Sequence, residues 1–138
     1  MRISTKIDYA CRALLELSLN WPRKEPVSVS TIARKQHIPL KYLEQILLQL
    51  KSIGFVESIR GKAGGYRLSL SPAQISLGEL MRKIGGPILS LTHNSRDKNS
   101  VFISIWRETE KNIAELLDNL DFEKIAQRVK GSPLVYQI

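Results

Sequence analysis

One segment constrains this chain more than any other: Arg60-Gly61-Lys62-Ala63-Gly64-Gly65. Three glycines in six residues suit neither a helix nor a strand interior. Two alternating runs flank it, Phe55-Val56-Glu57-Ser58-Ile59 and Tyr66-Arg67-Leu68-Ser69-Leu70. Alternation bounded by turn residues is a strand signal. The segment therefore reads as the tip of a β-hairpin that presents two cations, Arg60 and Lys62. It is not a nucleotide loop, because the G-x-x-x-x-G-K-[ST] spacing is absent and no strand leads into a helix there.

On both sides of the hairpin the apolar period is helical. The spacing predicts a first helix from near Thr5, with Thr5 and Asp8 as a capping box. Ile7, Ala10, Cys11, Leu14 and Leu17 face inward, and Asn20-Trp21-Pro22 ends the run. Ser28 is the N-cap of a second helix, 29–36. His37-Ile38 make a tight turn. Pro39 opens a third helix with the stripe Leu40, Leu43, Ile46, Leu47 and Leu50, closed by Gly54. Beyond the hairpin, Ser76 and Glu79 form a capping box for a fourth helix through Leu80, Met81 and Ile84, stopped by Gly85-Gly86-Pro87. Ser100 caps a long fifth helix with Phe102, Ile105, Trp106, Ile113, Leu116, Leu117 and Leu120 on one face. Asp121 caps a last short helix through Ala126 and Val129, ended by Gly131.

The order helix, helix, tight turn, helix, strand, cationic hairpin, strand is that of a winged helix-turn-helix. The fold class is thus mainly α with a small β-hairpin wing. Residues 1–87 form that domain, with the helix-turn-helix at 28–53 and the wing at 55–70. A loop at 88–99 and a C-terminal part at 100–138, with a long dimerisation helix and a short helix, complete the chain. At 138 residues the chain can bury a core without disulfides or metals. No apolar run reaches the ~18 residues of a membrane span. The N-terminus lacks the apolar stretch of a signal peptide, and the expectation is a cytoplasmic protein.

Charge points to the partner. The net charge is +8, and residues 1–67 carry 12 basic and 5 acidic side chains while residues 68–138 carry 9 and 8. A basic first half suits an anionic partner, of which double-stranded DNA is the commonest. The third helix, preceded by a short helix and a tight turn, would enter a major groove. With its apolar stripe turned inward, Lys41, Tyr42, Glu44 and Gln45 lie near its N-terminal end and can bond base edges or phosphates. Glu44 can accept from a cytosine amino group, repel wrong sequences, or pair with Lys41. Arg60 suits a narrow minor groove, and Lys62 and Lys6 add phosphate affinity. A second reading, a winged-helix protein-interaction module, stands beside this one. No arrangement of serine, histidine and acidic residues suggests a nucleophile elbow, a metal triad or a cofactor loop, so no enzyme is expected.

Several stretches resemble the IscR, NsrR and CymR family of winged-helix regulators, the Rrf-two family. They are MRISTKIDYA at the start, Ile32-Ala33 after Ser28, Tyr42-Leu43-Glu44-Gln45, and Leu50-Lys51-Ser52-Ile53-Gly54-Phe55-Val56. Ser58-Ile59-Arg60-Gly61-Lys62-Ala63-Gly64-Gly65-Tyr66 is the most specific, and Ile75-Ser76-Leu77-Gly78-Glu79 and Gly86-Pro87-Ile88 continue it. The resemblance implies a homodimeric bacterial transcription factor, usually a repressor, on a pseudo-palindromic operator. It implies the third helix in the major groove, with Tyr42, Glu44 and Gln45 near bases, and the wing in the minor groove through Arg60. Ser28, Leu40, Gly61, Gly64, Gly65 and Tyr66 complete the candidate DNA interface. It further implies that the fifth helix crosses to the partner subunit; packing within one chain, against the first helix, is the alternative.

Many members of the family sense through an iron–sulfur cluster held by three cysteines between the fourth and fifth helices. Here the stretch 88–100 has none, and Cys11 is the chain's single cysteine. Since thiolates are the usual cluster ligands, no cluster is expected, nor can His93 stand in for three of them. The resemblance then lies with the cluster-free, CymR-like branch, which implies a role in cysteine and sulfur metabolism and control by a regulatory partner protein. A small-molecule effector near 88–99 is a further expectation. Cys11 leaves two readings, a small buried hydrophobe or an exposed redox thiol, with Lys6 and Arg12 close in sequence.

Overall fold

The computed structural model describes residues 2–88 and 99–131. The chain runs α1 (Thr5–Asn20), α2 (Val29–Gln36), α3 (Leu40–Ile53), β1 (Val56–Ile59), β2 (Gly65–Leu68), α4 (Leu77–Gly85), α5 (Val101–Asp118) and α6 (Phe122–Gly131), with one 3-10 turn at Pro72–Gln74. Helix by helix this is the expected order. Most of the expected loop, and the tail from Ser132, lie outside the described residues.

Local chemistry sets each boundary. Ser4, rather than Thr5, caps α1: its Oγ accepts the Ile7 N–H at 3.2 Å. Thr5 is already helical, so Ser4 is the residue with extended backbone that an N-cap requires. Ser28 caps α2 and accepts from the Thr31 N–H. His37 ends α2 in the left-handed region at φ 55°, which delivers the chain to Pro39 within two residues. Gly54 ends α3 at φ 99°, where its N–H reaches the Leu50 and Lys51 carbonyls. Ser76 caps α4 through the Glu79 N–H, but the return half of the expected box is not made: the Glu79 carboxylate pairs with Lys83 at 2.9 Å instead. Asp121 caps α6 by accepting the Lys124 N–H.

The core gathers on α1 and α3. Ala10, Ala13, Leu14 and Leu17 meet Leu43, Ile46, Leu47 and Leu50, with Ile32, Phe55, Ile75, Leu80 and Phe122 closing the cluster. Leu40 is not part of it. It is 46% exposed, because it opens α3 before the first full turn meets the body.

β1 and β2 are antiparallel and pair Val56 with Leu68 and Ile59 with Gly65. The strands are shorter than expected: Phe55 and Ser69 close the base through one hydrogen bond of 2.9 Å, and Leu70 lies beyond it. A third segment joins the hairpin. Val27 and Tyr66 exchange two backbone hydrogen bonds of 2.8 and 2.9 Å. Gly65 permits this: a Cβ there would overlap the Val27 carbonyl, and its φ of 155° disfavours any side chain. The start of α2 is thereby fixed to the tip-side end of β2.

α5 packs on α4 rather than on α1. Ile103 is its buried residue, and Arg82 of α4 pairs with Asp118 at 2.6 Å. At Gly78 a Cβ would overlap the Asp118 carboxylate, so the two helices touch closely there. The expected placement of Leu120 on α5 is corrected, since the helix stops at Asp118. Leu120 lies in the connection to α6, and its carbonyl accepts the Leu77 N–H at 2.7 Å. That bond, with Phe122 N–H to the Ile75 carbonyl, joins the C-terminal helices to the winged domain.

Candidate nucleic-acid interface

The third helix turns two different sides to its surroundings. Leu43, Ile46, Leu47 and Leu50 are at most 2% exposed, whereas Leu40, Lys41, Tyr42, Glu44, Gln45, Leu48, Gln49, Lys51 and Ser52 are all exposed. Helical periodicity accounts for the split, since residues three and four apart share a side. Lys41, Glu44 and Gln45 thus stand outward, as expected. Pro39 supplies no side-chain cap, so first-turn N–H groups of α3 remain open to a phosphate oxygen.

Tyr42 has a definite place. Its ring meets that of Tyr9 edge to face, with centroids 5.5 Å apart. Arg12 lies 5.7 Å from the Tyr9 ring, pairs with Asp8 at 2.8 Å and donates to the Gln36 carbonyl at the end of α2. One arginine on α1 therefore braces both helices of the helix-turn-helix. Tyr9 and Arg12 were not among the candidate residues. Their roles lie in tertiary contacts, Tyr9 with Tyr42 and Arg12 with the Gln36 carbonyl, which sequence spacing does not reveal.

The wing carries its cations at the tip. Arg60, Gly61 and Lys62 are exposed, and Gly61 takes φ 121°. Gly64 and Gly65 serve the backbone: Gly64 donates to the Gly61 carbonyl, and a Cβ on it would overlap the Ile59 carbonyl. Tyr66 is half-buried near the start of β2, joined to Val27 beside Ser28. The Ser28 hydroxyl is occupied as a cap and bonds Thr31 Oγ1 at 2.7 Å. Lys51 Nζ donates to Ser58 Oγ at 2.8 Å and ties the end of α3 to β1.

Ion pairing leaves the cations of the candidate interface free. Among the described residues, five ion pairs involve Arg12, Arg67, Arg82, Lys83 and Lys124. Lys6, Lys41, Arg60 and Lys62 are in none of them, and neither is Glu44. The surface pairing of Glu44 with Lys41 allowed by the sequence is therefore not made. Unpaired cations on exposed positions, Lys41, Arg60 and Lys62, keep their full field for an anionic partner.

The fifth helix exposes its apolar side. Phe102, Ile105, Trp106 and Leu116 are 57%, 41%, 46% and 67% exposed, while Ile113 and Leu117 are half-buried. The Phe102 and Trp106 rings stack with centroids 6.1 Å apart. Ile103, absent from the expected face, is the one turned to the body.

Cys11 is half-buried on α1 against the core. Burial, with the nearby Asp8 carboxylate, pushes its thiol from 9.0 up to about 12. A thiol held in the neutral form is a poor nucleophile and a poor redox sensor.

These features define a winged helix-turn-helix with an outward polar side on α3 and a basic wing. The model of the Rrf2 family (Rrf-two), described as an iron-dependent transcriptional regulator, matches residues 3–128. CymR of Bacillus subtilis is 32% identical over 136 residues, 99% of this chain and 97% of that protein. Its solved structure, titled as the global cysteine regulator of that organism, aligns with a TM-score of 0.85 at 31% identity over 93% of this chain and 98% of the other. The T. potens IscR structure aligns with a TM-score of 0.78 at 32% identity, covering 94% and 88%. A helix-turn-helix regulator of Synechocystis is 36% identical over 121 residues, 85% of this chain and 82% of that protein. The chain belongs to the Rrf2 family of transcriptional regulators. That role is non-enzymatic, as the sequence led one to expect. Among the described residues no helix is long and apolar enough to cross a membrane.

The family description raises the question of iron. The stretch 88–100 offers His93 and Asp97 and no thiol, and Cys11 sits on α1 with its proton firmly held. Among the described residues no three of His, Cys, Asp and Glu gather as a metal site. Iron–sulfur clusters need several thiolates, and this donor set does not fit one.

Proposed function

We propose that the chain is a homodimeric, sequence-specific DNA-binding repressor that works without an iron–sulfur cluster. The observation that carries the reading is the set of unpaired, exposed groups on α3 and the wing: Lys41, Glu44, Gln45, Arg60 and Lys62. α3 lies in the major groove, where Gln45 and Glu44 meet base edges and Lys41 meets phosphate. Arg60 enters the minor groove, and Lys6 and Lys62 add backbone contacts. Tyr42 is positioned by Tyr9. Ser28, Gly61, Gly64, Gly65 and Tyr66 hold the backbone that carries these groups.

The dimer forms through the exposed side of α5. Phe102, Ile105, Trp106 and Leu116 make an apolar surface that a monomer would leave in water, with Ile113 and Leu117 at its edge. Two copies related by a two-fold axis then bind a pseudo-palindromic operator. The relation to CymR, and the missing cluster ligands, support genes of cysteine and sulfur metabolism as targets. An effector molecule or a partner protein, rather than a metal centre, then supplies the signal, and the protein works in the cytoplasm.

Arg60→Ala tests the wing directly. The variant should keep its dimer mass in sedimentation and lose discrimination between operator and scrambled DNA. Unchanged operator binding would overturn the minor-groove role; equal pull-down of protein partners by wild type and by a Lys41/Arg60/Lys62 charge-reversed variant would favour a protein-interaction module.

A further inference from the structure

Leu48 is 59% exposed in the middle of α3, and the core of the helix has no use for it. It stands on the side opposite Leu43, Ile46, Leu47 and Leu50. Lys41, Glu44, Gln45 and Leu48 follow the spacing i, i+3, i+4, i+7. The reading helix of homeodomains places its four base-facing residues at the same spacing. The neighbours of Leu48 on this side, Gln45, Gln49 and Ser52, are polar and exposed. Leu40, the other exposed leucine of the helix, is more than two turns away. Leu48 is therefore an isolated apolar group in a polar row, not part of the wide apolar patch that marks a protein partner.

We infer that Leu48 reads sequence: its side chain contacts the C5-methyl group of a thymine in the major groove, beside the base pair met by Gln45. This rests on the DNA-binding reading above. The thymine methyl is the apolar group that the major-groove edges of the bases present. Three helical residues advance about 4.5 Å, close to the ~3.4 Å step between base pairs, which brings Leu48 to a neighbouring pair. Basic side chains along the same helix, Lys41 and Lys51, suit it to a polyanion and not to an apolar protein groove.

The test uses the full chain and an operator selected by the purified protein from a random duplex library. Each thymine is then replaced in turn by deoxyuridine, which removes the methyl group and leaves base pairing intact. Loss of one buried methyl contact is worth about fourfold in affinity per half-site, and about fifteenfold when both half-sites are changed. The wild type should show this loss at one thymine of each half-site. Leu48→Ala should bind the thymine operator with the same reduced affinity and ignore the replacement. Because Leu48 is exposed, the variant should melt with the wild type. The uridine series on the wild type stands without any variant. If no replacement weakens the wild type, or if Leu48→Ala keeps the full sensitivity, Leu48 does not read thymine. If selection returns no preferred sequence, both this inference and the DNA-binding reading fall together.

Discussion

The Tyr9 ring of α1 meets the Tyr42 ring of α3 edge to face at 5.5 Å, and Arg12 packs beside Tyr9 while bonding the last carbonyl of α2. The first helix is thus a brace for α2 and α3 as well as the centre of the core. Edge-to-face pairs add about 0.5–1.5 kcal/mol beyond their burial. Tyr9→Ala should destabilise the protein by about 1–2 kcal/mol in chemical denaturation. It should also weaken operator binding several-fold, and Tyr9→Phe should restore both, because the ring and not the hydroxyl makes the contact. Full operator affinity in a folded Tyr9→Ala protein would deny Tyr42 any need for positioning.

Trp106 and Phe102 stack on the exposed side of α5. Placing a charge there should cost little in a monomer and much in a dimer, since a buried unpaired carboxylate is strongly unfavourable. Trp106→Glu should sediment as a folded monomer and lose cooperative binding to a two-half-site operator. A Trp106→Glu protein that remains dimeric would place the interface elsewhere.

The raised Cys11 thiol makes a prediction with a definite sign. In the unfolded chain the thiol ionises near 9.0, while in the fold it does so only near about 12. The folded state then binds more protons than the unfolded state between those values, so stability falls as pH rises through that window. Stability of the wild type should drop from pH 9 upward relative to Cys11→Ala. At pH 8 the native thiol should react with iodoacetamide far more slowly than in denaturant. Rapid native alkylation would revive the sensor role.

Much of the fold was legible because its signals are local. The glycines at 61, 64 and 65 and the alternation around them specify the hairpin, and Ser28, Pro39 and Gly54 bound the helices by their own backbone preferences. The caps that slipped, Ser4 for Thr5, differ by one residue with the same chemistry. What the sequence hid depends on which side of a helix finds a neighbour. Leu40 and Leu48 are apolar yet exposed, since α1 covers only one side of α3. On α5 the apolar stripe was plain, but its contact with α4 uses Ile103 and Asp118, outside the stripe. Leu120 looked helical by spacing, whereas its carbonyl bond to Leu77 draws it into the connection. In the candidate site, Lys41, Glu44 and Gln45 were visible as polar groups off the apolar stripe, and Arg60 and Lys62 as cations at the hairpin tip. Tyr9 and Arg12 were not, because they act across a tertiary contact.

The central claim is specific DNA recognition without a cluster, and fluorescence anisotropy on metal-free, chelator-treated protein tests it most directly. Labelled DNA from upstream of its own gene is compared with a scrambled duplex as salt is raised. Specific binding should persist with no iron or sulfide present, and should weaken by about a thousandfold between 50 and 200 mM salt, as six or more phosphate contacts require. Equal, weak binding to both duplexes, or specific binding that appears only after iron and sulfide are restored, would contradict the account.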